Sequence, residues 1–278
     1  FINYYFNARF KLINKKDMKK KLNDGEREEY LIKIYLCYLR DSKIDLPKIG
    51  KIINVGFTEE YKKTNWSEID FKKIENDQIQ IKKLANKLKI DKTSSRYKAD
   101  IKINNTYYSL KCTGYGKPAI VNHTNRIGWL NISKIIDKDI TGLDKVINKY
   151  WKLRTKGDVS EDCPNSNEKS PFKNHKNIIK PYLDFFVFKG SGQGLSEFPA
   201  EKVLEFESWI DQKSWKIYSK EYIDKLWPNL YFCMRSTKGM PTDYNSFKDK
   251  KLISPWTRFF KGKTGEKKHR GALHVRVG

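Results

Sequence analysis

Within residues 26–40, apolar side chains recur at Leu31, Ile34, Tyr35 and Tyr38, the i, i+3, i+4, i+7 spacing of a helix with one buried face. Asn23, Asp24 and Gly25 supply its start, and acids crowd the first turn, where the helix dipole favours them. Residues 68–89 set Ile69, Phe71, Ile74, Ile79, Ile81, Leu84 and Leu88 among charges, which predicts one helix or two, followed by a Thr93-Ser94-Ser95 loop. The period then changes. Ala99 to Ile103 alternates, Asn104-Asn105 reads as a turn, and Tyr107 to Cys112 is a second β-rich run, so the stretch predicts a hairpin.

Helical spacing returns over 129–153 through Leu130, Ile132, Ile136, Leu143, Val146, Ile147 and Tyr150, with a break near Thr141-Gly142. Residues 155–177 are polar, contain Pro164 and Pro171, and read as an exposed loop. Tyr182 to Phe188 is apolar almost throughout, which suits a strand covered on both faces and ended by the run Gly190 to Gly194. Beyond it the pattern predicts a short helix from Ala200 to Trp209 and strands near Trp215 to Tyr218 and Leu230 to Met234. The order of elements argues for an α/β or α+β fold, a central mixed β-sheet flanked by helices. With no repeat and no Pro-rich or Gly/Ser-rich linker, residues 1–278 read as a single domain.

Composition narrows the function. Fifty-seven basic residues against 33 acidic give a formal charge of +24, which suits a polyanionic partner. No apolar run approaches the roughly 18 residues of a membrane span, so no membrane association is expected. The opening Phe1-Ile2-Asn3-Tyr4-Tyr5-Phe6 is interrupted by polar residues and reads as a structured segment, not a signal peptide. Cys37, Cys112, Cys163 and Cys233 show neither zinc-ligand spacing nor a C-x-x-C pair, which suits a reducing cytoplasm. A Walker A ending is absent, and Gly190-Ser191-Gly192 lacks the form of a nucleophile elbow.

Chemistry concentrates on the hairpin. Strand alternation puts Ser109 and Lys111 on one face with Leu110 turned away, and Asp100 on the neighbouring strand can approach that face. An acid and backbone carbonyl oxygens beside a lysine are what metal-assisted phosphodiester hydrolysis uses: oxygens hold Mg²⁺, and the ammonium positions the nucleophile. Lys98-Ala99-Asp100-Ile101 followed by Tyr108-Ser109-Leu110-Lys111 resembles the signature of the PD-(D/E)XK nucleases, the superfamily of most type II restriction endonucleases, with Ala99 in place of the proline and Ser109 in place of the second acid.

The resemblance implies a nuclease core over about residues 20–195 and a basic extension over 196–278 for DNA recognition and packing. It implies Asp100 as the principal metal ligand, the Ser109 or Leu110 backbone as a further oxygen ligand, and Lys111 as organiser of the attacking water. It also implies an added glutamate from the preceding helix, where Glu26, Glu28 and Glu29 are available and Glu29 is favoured. The implied protein is a cytoplasmic, Mg²⁺-dependent endonuclease acting on double-stranded DNA as a homodimer, with a DNA methyltransferase as genetic partner. Non-catalytic DNA binding and a structure-selective repair nuclease are the alternatives. Candidate DNA contacts are Lys117, Asn122, His123 and Arg126 after the hairpin, and Arg235, Lys238, Arg258 and Arg270 among the C-terminal aromatics Tyr244, Trp256, Phe259 and Phe260.

Overall fold

The helix that begins at Asp24 is closed at its start by a reciprocal pair: Asn23 Oδ1 accepts from the Glu26 amide at 2.9 Å, and the Glu26 carboxylate accepts from the Asn23 amide at 3.2 Å. This capping box satisfies two of the amides every helix leaves free. The computed structural model describes residues 21–58, 64–90, 93–94, 96–236, 238–261 and 267–278. The aromatic start Phe1 to Phe6 lies outside them.

The helices are α1 (Asp24–Asp41), α2 (Phe71–Ile74), α3 (Gln78–Lys87), α4 (Arg126–Ile135), α5 (Thr141–Lys156), α6 (Lys176–Asp184), α7 (Tyr222–Leu226) and α8 (Lys250–Ile253). The strands are β1 (Ile101–Ile103), β2 (Thr106–Cys112), β3 (Ala119–Asn125), β4 (Cys163–Pro164), β5 (Gly190–Ser191), β6 (Gly194–Leu195), β7 (Lys202–Phe206), β8 (Lys216–Tyr218), β9 (Leu230–Arg235), β10 (Arg258–Lys261), β11 (Lys267–Arg270) and β12 (Ala272–Val277). The fold is α+β, as the order of elements predicts. The chain divides into two compact units, where the sequence suggests one domain. The first comprises residues up to Ser94, Ala99–Gly116 and Leu204–Ile217; the second comprises Ser95–Lys98, Lys117–Val203 and Tyr218–Gly278. Each has its own four-stranded sheet, so the expected single central sheet is replaced by two.

In the first unit the sheet order is β1-β2-β7-β8. β1 and β2 pair antiparallel from Ile101↔Tyr108 to Ile103↔Thr106. Asn104 takes the left-handed conformation that a tight hairpin turn demands (φ 54°), and its Oδ1 accepts from the Ile53 amide at 2.7 Å. Helix α1 is buried on most of its surface, by Leu31, Ile32, Ile34, Leu36, Cys37 and Leu39, and not along one stripe. Such a helix is the centre of its core. At Gly114 a Cβ would stand 2.0 Å from the Glu207 carbonyl oxygen, a backbone approach only glycine permits.

The second unit builds its antiparallel sheet in the order β3-β12-β9-β4. Three local expectations fail there and at its border. Tyr182 to Phe188 is not a strand but the end of α6 continuing into a π-helical turn, Phe185–Lys189. A continuous apolar run signals burial on every side, which a central helix satisfies as well as a central strand, and Tyr182, Leu183, Phe185, Phe186 and Val187 are all buried. The predicted helix from Ala200 to Trp209 is instead β7, where the Phe206 carbonyl accepts from the Thr113 amide at 2.9 Å; tertiary pairing overrides a weak local preference. The 155–177 segment is not merely exposed loop, since Phe172, Asn165 and Ser170 are buried and Cys163 pairs with Phe232. No helix among the described residues is long and apolar enough to cross a membrane.

Candidate active site

The β1–β2 ladder ends at Ile101↔Tyr108, with the Asp100 amide donating to the Tyr108 carbonyl at 2.8 Å. Strand β2 runs further, and the amide of Leu110 needs an acceptor. The Asp100 side chain supplies it: Oδ2 accepts from Leu110 N at 2.7 Å and from Ser109 Oγ at 3.1 Å. Ser109, buried at 1% exposure in the position of the second acid, donates to Asp100 and so orients it. Leu110 enters the site through its amide. Both bonds fall on one oxygen of Asp100. Lys111, half-buried on the Ser109 face of β2, has no hydrogen-bond or ion-pair partner among the described residues.

The three glutamates of α1 separate by direction. Glu26 is spent in the capping box. Glu28 is fully buried and faces Arg27, Glu75, Cys112 and Tyr115; burial pushes its carboxyl up, only partly opposed by Arg27, whose Nε donates to it at 3.3 Å. Glu29 faces the hairpin. Desolvation raises its carboxyl above the usual range and the Asp100 charge adds to this, while Lys33 and Lys111 pull it down. The helix thus brings Glu29 within electrostatic reach of both Asp100 and Lys111.

Lys33, a buried cation at 2% exposure, is the residue that sequence reasoning missed. Its Nζ donates to Glu29 Oε1 at 2.6 Å and to Thr93 Oγ1 at 3.1 Å. Thr93 Oγ1 in turn donates to the Asp100 carbonyl at 2.8 Å. A chain of hydrogen bonds therefore ties α1, through Lys33 and Thr93, to the backbone at the start of β1. The available signal was the i, i+4 spacing of Glu29 and Lys33 on a helix face.

Among the described residues there is no group of three or more His, Cys, Asp and Glu side chains placed to hold a metal ion. Asp100 and Glu29 supply the kind of donor that Mg²⁺ takes, one or two carboxylates with the shell completed from water and phosphate. The donor set fits: both donors are hard oxygens, and a cation between them would relieve the like-charge penalty that Asp100 imposes on Glu29.

The residues expected to contact DNA all belong to the second unit. Lys117, Asn122 and Lys238 are exposed. His123 sits at a bulge of β3 and stacks on His274, ring centroids 4.6 Å apart. Four arginines among the expected DNA contacts are engaged by partners within the protein. Arg126 makes a two-pronged pair with Asp144 at 2.8 and 2.7 Å. Arg258 donates to Asn148 Oδ1 at 2.8 Å and to the carbonyls of Pro255 and Thr257. Arg235 bridges Glu161 and Asp162 at 2.9 and 3.0 Å, and Arg270 pairs with the same Glu161. No family model matches this chain, and neither does any curated protein or solved structure.

Proposed function

We propose that this protein is a Mg²⁺-dependent endonuclease of the restriction type, acting on double-stranded DNA. The observation that carries the reading is that Asp100 and Lys111, at the open end of the β1–β2 hairpin, both act electrostatically on Glu29 of α1, while Asp100 is oriented by the Leu110 amide and Ser109. The formal charge of +24 supports a polyanionic substrate. Asp100 and Glu29 would hold the cation. When bound, Mg²⁺ shields the scissile phosphate and makes water a better nucleophile. Lys111 supplies an ammonium beside the carboxylates to position that water and to meet charge developing on the phosphate. Ser109 and the Leu110 amide keep Asp100 in one rotamer, and Lys33 does the same for Glu29.

The reading carries with it a two-fold dimer on a palindromic site, a cytoplasmic setting and a partner methyltransferase. Ser109 in the position of an acid favours a second reading, DNA binding without cleavage. Incubation with a large duplex DNA, in Mg²⁺ or EDTA, separates the two. Discrete fragments that require Mg²⁺ and vanish in Asp100→Ala and Lys111→Ala are expected. Binding with no cleavage across many sequences would replace the nuclease by a binding protein, and cleavage surviving in both variants would move the site elsewhere.

A further inference from the structure

The two-stranded ribbon β10–β11 pairs Arg258↔Arg270, Phe259↔His269 and Phe260↔Lys268. Its two faces differ. One is packed down: Phe260 stacks on Trp151 of α5 (5.3 Å, 29°), the Arg154 guanidinium lies over the Phe260 ring at 5.3 Å, and Arg258 reaches Asn148. The opposite face carries Phe259 and His269, directly across from each other in register, so their side chains emerge together.

On that face three rings assemble. Tyr244 stacks on His269 with centroids 4.1 Å apart and planes 21° apart, and Phe259 meets His269 at 5.1 Å and 58°. Lys250 Nζ lies over the Tyr244 ring at 5.2 Å. Phe259 nevertheless remains 49% exposed. A large apolar ring held half in water, braced by two further rings, is a surface built for contact. Neither strand carries an acid, and Lys250 sets a cation beside the three rings.

An outward aromatic face beside a lysine, on a chain of formal charge +24, matches a nucleic-acid strand whose bases present their flat faces. Base pairs in a duplex hide those faces by stacking and offer only edges, where a phenyl ring has no donor or acceptor to contribute. We propose that this face of β10–β11 is a stacking platform for an unpaired base of a DNA strand, with Phe259 taking the base and Lys250 meeting a flanking phosphate. The inference rests on the nucleic-acid part of the proposed function and is independent of cleavage.

The test is binding in EDTA, where Mg²⁺-dependent cutting is silent, using a single-stranded oligonucleotide carrying 2-aminopurine and a duplex of the same sequence. Phe259→Leu keeps an apolar side chain and removes the ring at an exposed position, so the fold is retained. The expected result is about tenfold or more weaker single-strand binding, from the loss of one base stack, with loss of the 2-aminopurine quench and duplex affinity unchanged. Equal losses on both DNAs would make Phe259 a duplex contact and overturn the proposal. So would unchanged single-strand binding in the variant, or no single-strand binding by the wild type. Absence of cleavage in Mg²⁺ with a Phe259-dependent quench in EDTA would sink the nuclease reading and leave the platform standing.

Discussion

Replacing Glu29 by glutamine tests whether the candidate site is held rigid before any ligand arrives. The Lys33 ammonium is 2% exposed and donates to two acceptors, Glu29 at 2.6 Å and Thr93 at 3.1 Å. At an effective dielectric of about 20, a pair at this separation attracts by about 6 kcal/mol gross. Desolvation offsets most of that, so the whole pair contributes little relative to an apolar pair. Removing one charge is different, because it strands the other. Glu29→Gln leaves a buried ammonium with only neutral oxygens and should cost ~3 kcal/mol, the low end for a broken buried pair, since a quarter of the Glu29 side chain still reaches water.

Lys33→Met should cost less, ~1–2 kcal/mol, because Glu29 can take up a proton to stay neutral. The double variant Glu29→Gln/Lys33→Met removes both charges and should return to within ~1 kcal/mol of wild type. Hydrogen exchange of the Asp24–Asp41 amides, followed by mass spectrometry across a urea series, reads these differences on the helix that carries both residues. If Glu29→Gln costs under about 1 kcal/mol and the two changes simply add, the pair behaves like a solvated surface pair. The argument that Lys33 positions Glu29 is then refuted.

Two other outcomes follow from the second unit. His123 and His274 stack with both Nδ1 atoms buried and without partners, and burial, then the charges of His123 and Arg235, push His274 down to about 4. The folded value lies below the ordinary 6.5, so His274 contributes stability that is complete above about pH 6.5 and lost as pH falls toward 4, on the order of 3 kcal/mol across that window. His274→Phe keeps the stack and should flatten urea midpoints over this range; a variant with the same acid slope as wild type would show that another group titrates. Arg126→Ala breaks the buried pair with Asp144, which also accepts from Trp256 Nε1 at 2.6 Å, and should destabilise the unit by ~3 kcal/mol. Its dependence of DNA affinity on salt should match wild type, because Arg126 is held by protein; a slope reduced by about one would show a phosphate contact.

Much of the first unit was legible. The capping residues, the Asn104 turn and the two-residue alternation of β2 are local features, and local features fold as their neighbours dictate. So the helix, the hairpin and the placement of Asp100 and Lys111 near its open end could be read directly. Which of Glu28 and Glu29 faces the hairpin could not be settled locally: successive helix residues point about 100° apart, and only the packing of α1 decides which one feels the charge of Asp100. That Ser109 and the Leu110 amide both donate to Asp100 was not legible either, because it depends on where the β1–β2 ladder stops.

Residue types and their periodicity determined by themselves a mixed chain of helices and strands, α/β or α+β, with a large excess of positive charge and an acid and a lysine set across a hairpin, because each depends on neighbours within a few residues or on composition alone. Tertiary structure alone decided that Tyr182 to Phe188 coils while Lys202 to Phe206 extends, and that there are two cores. It also bound Arg126, Arg235, Arg258 and Arg270 to distant partners. The reason is physical: an apolar run or an arginine states what it needs, burial or an acceptor, but which distant segment supplies it is settled only when the chain has packed.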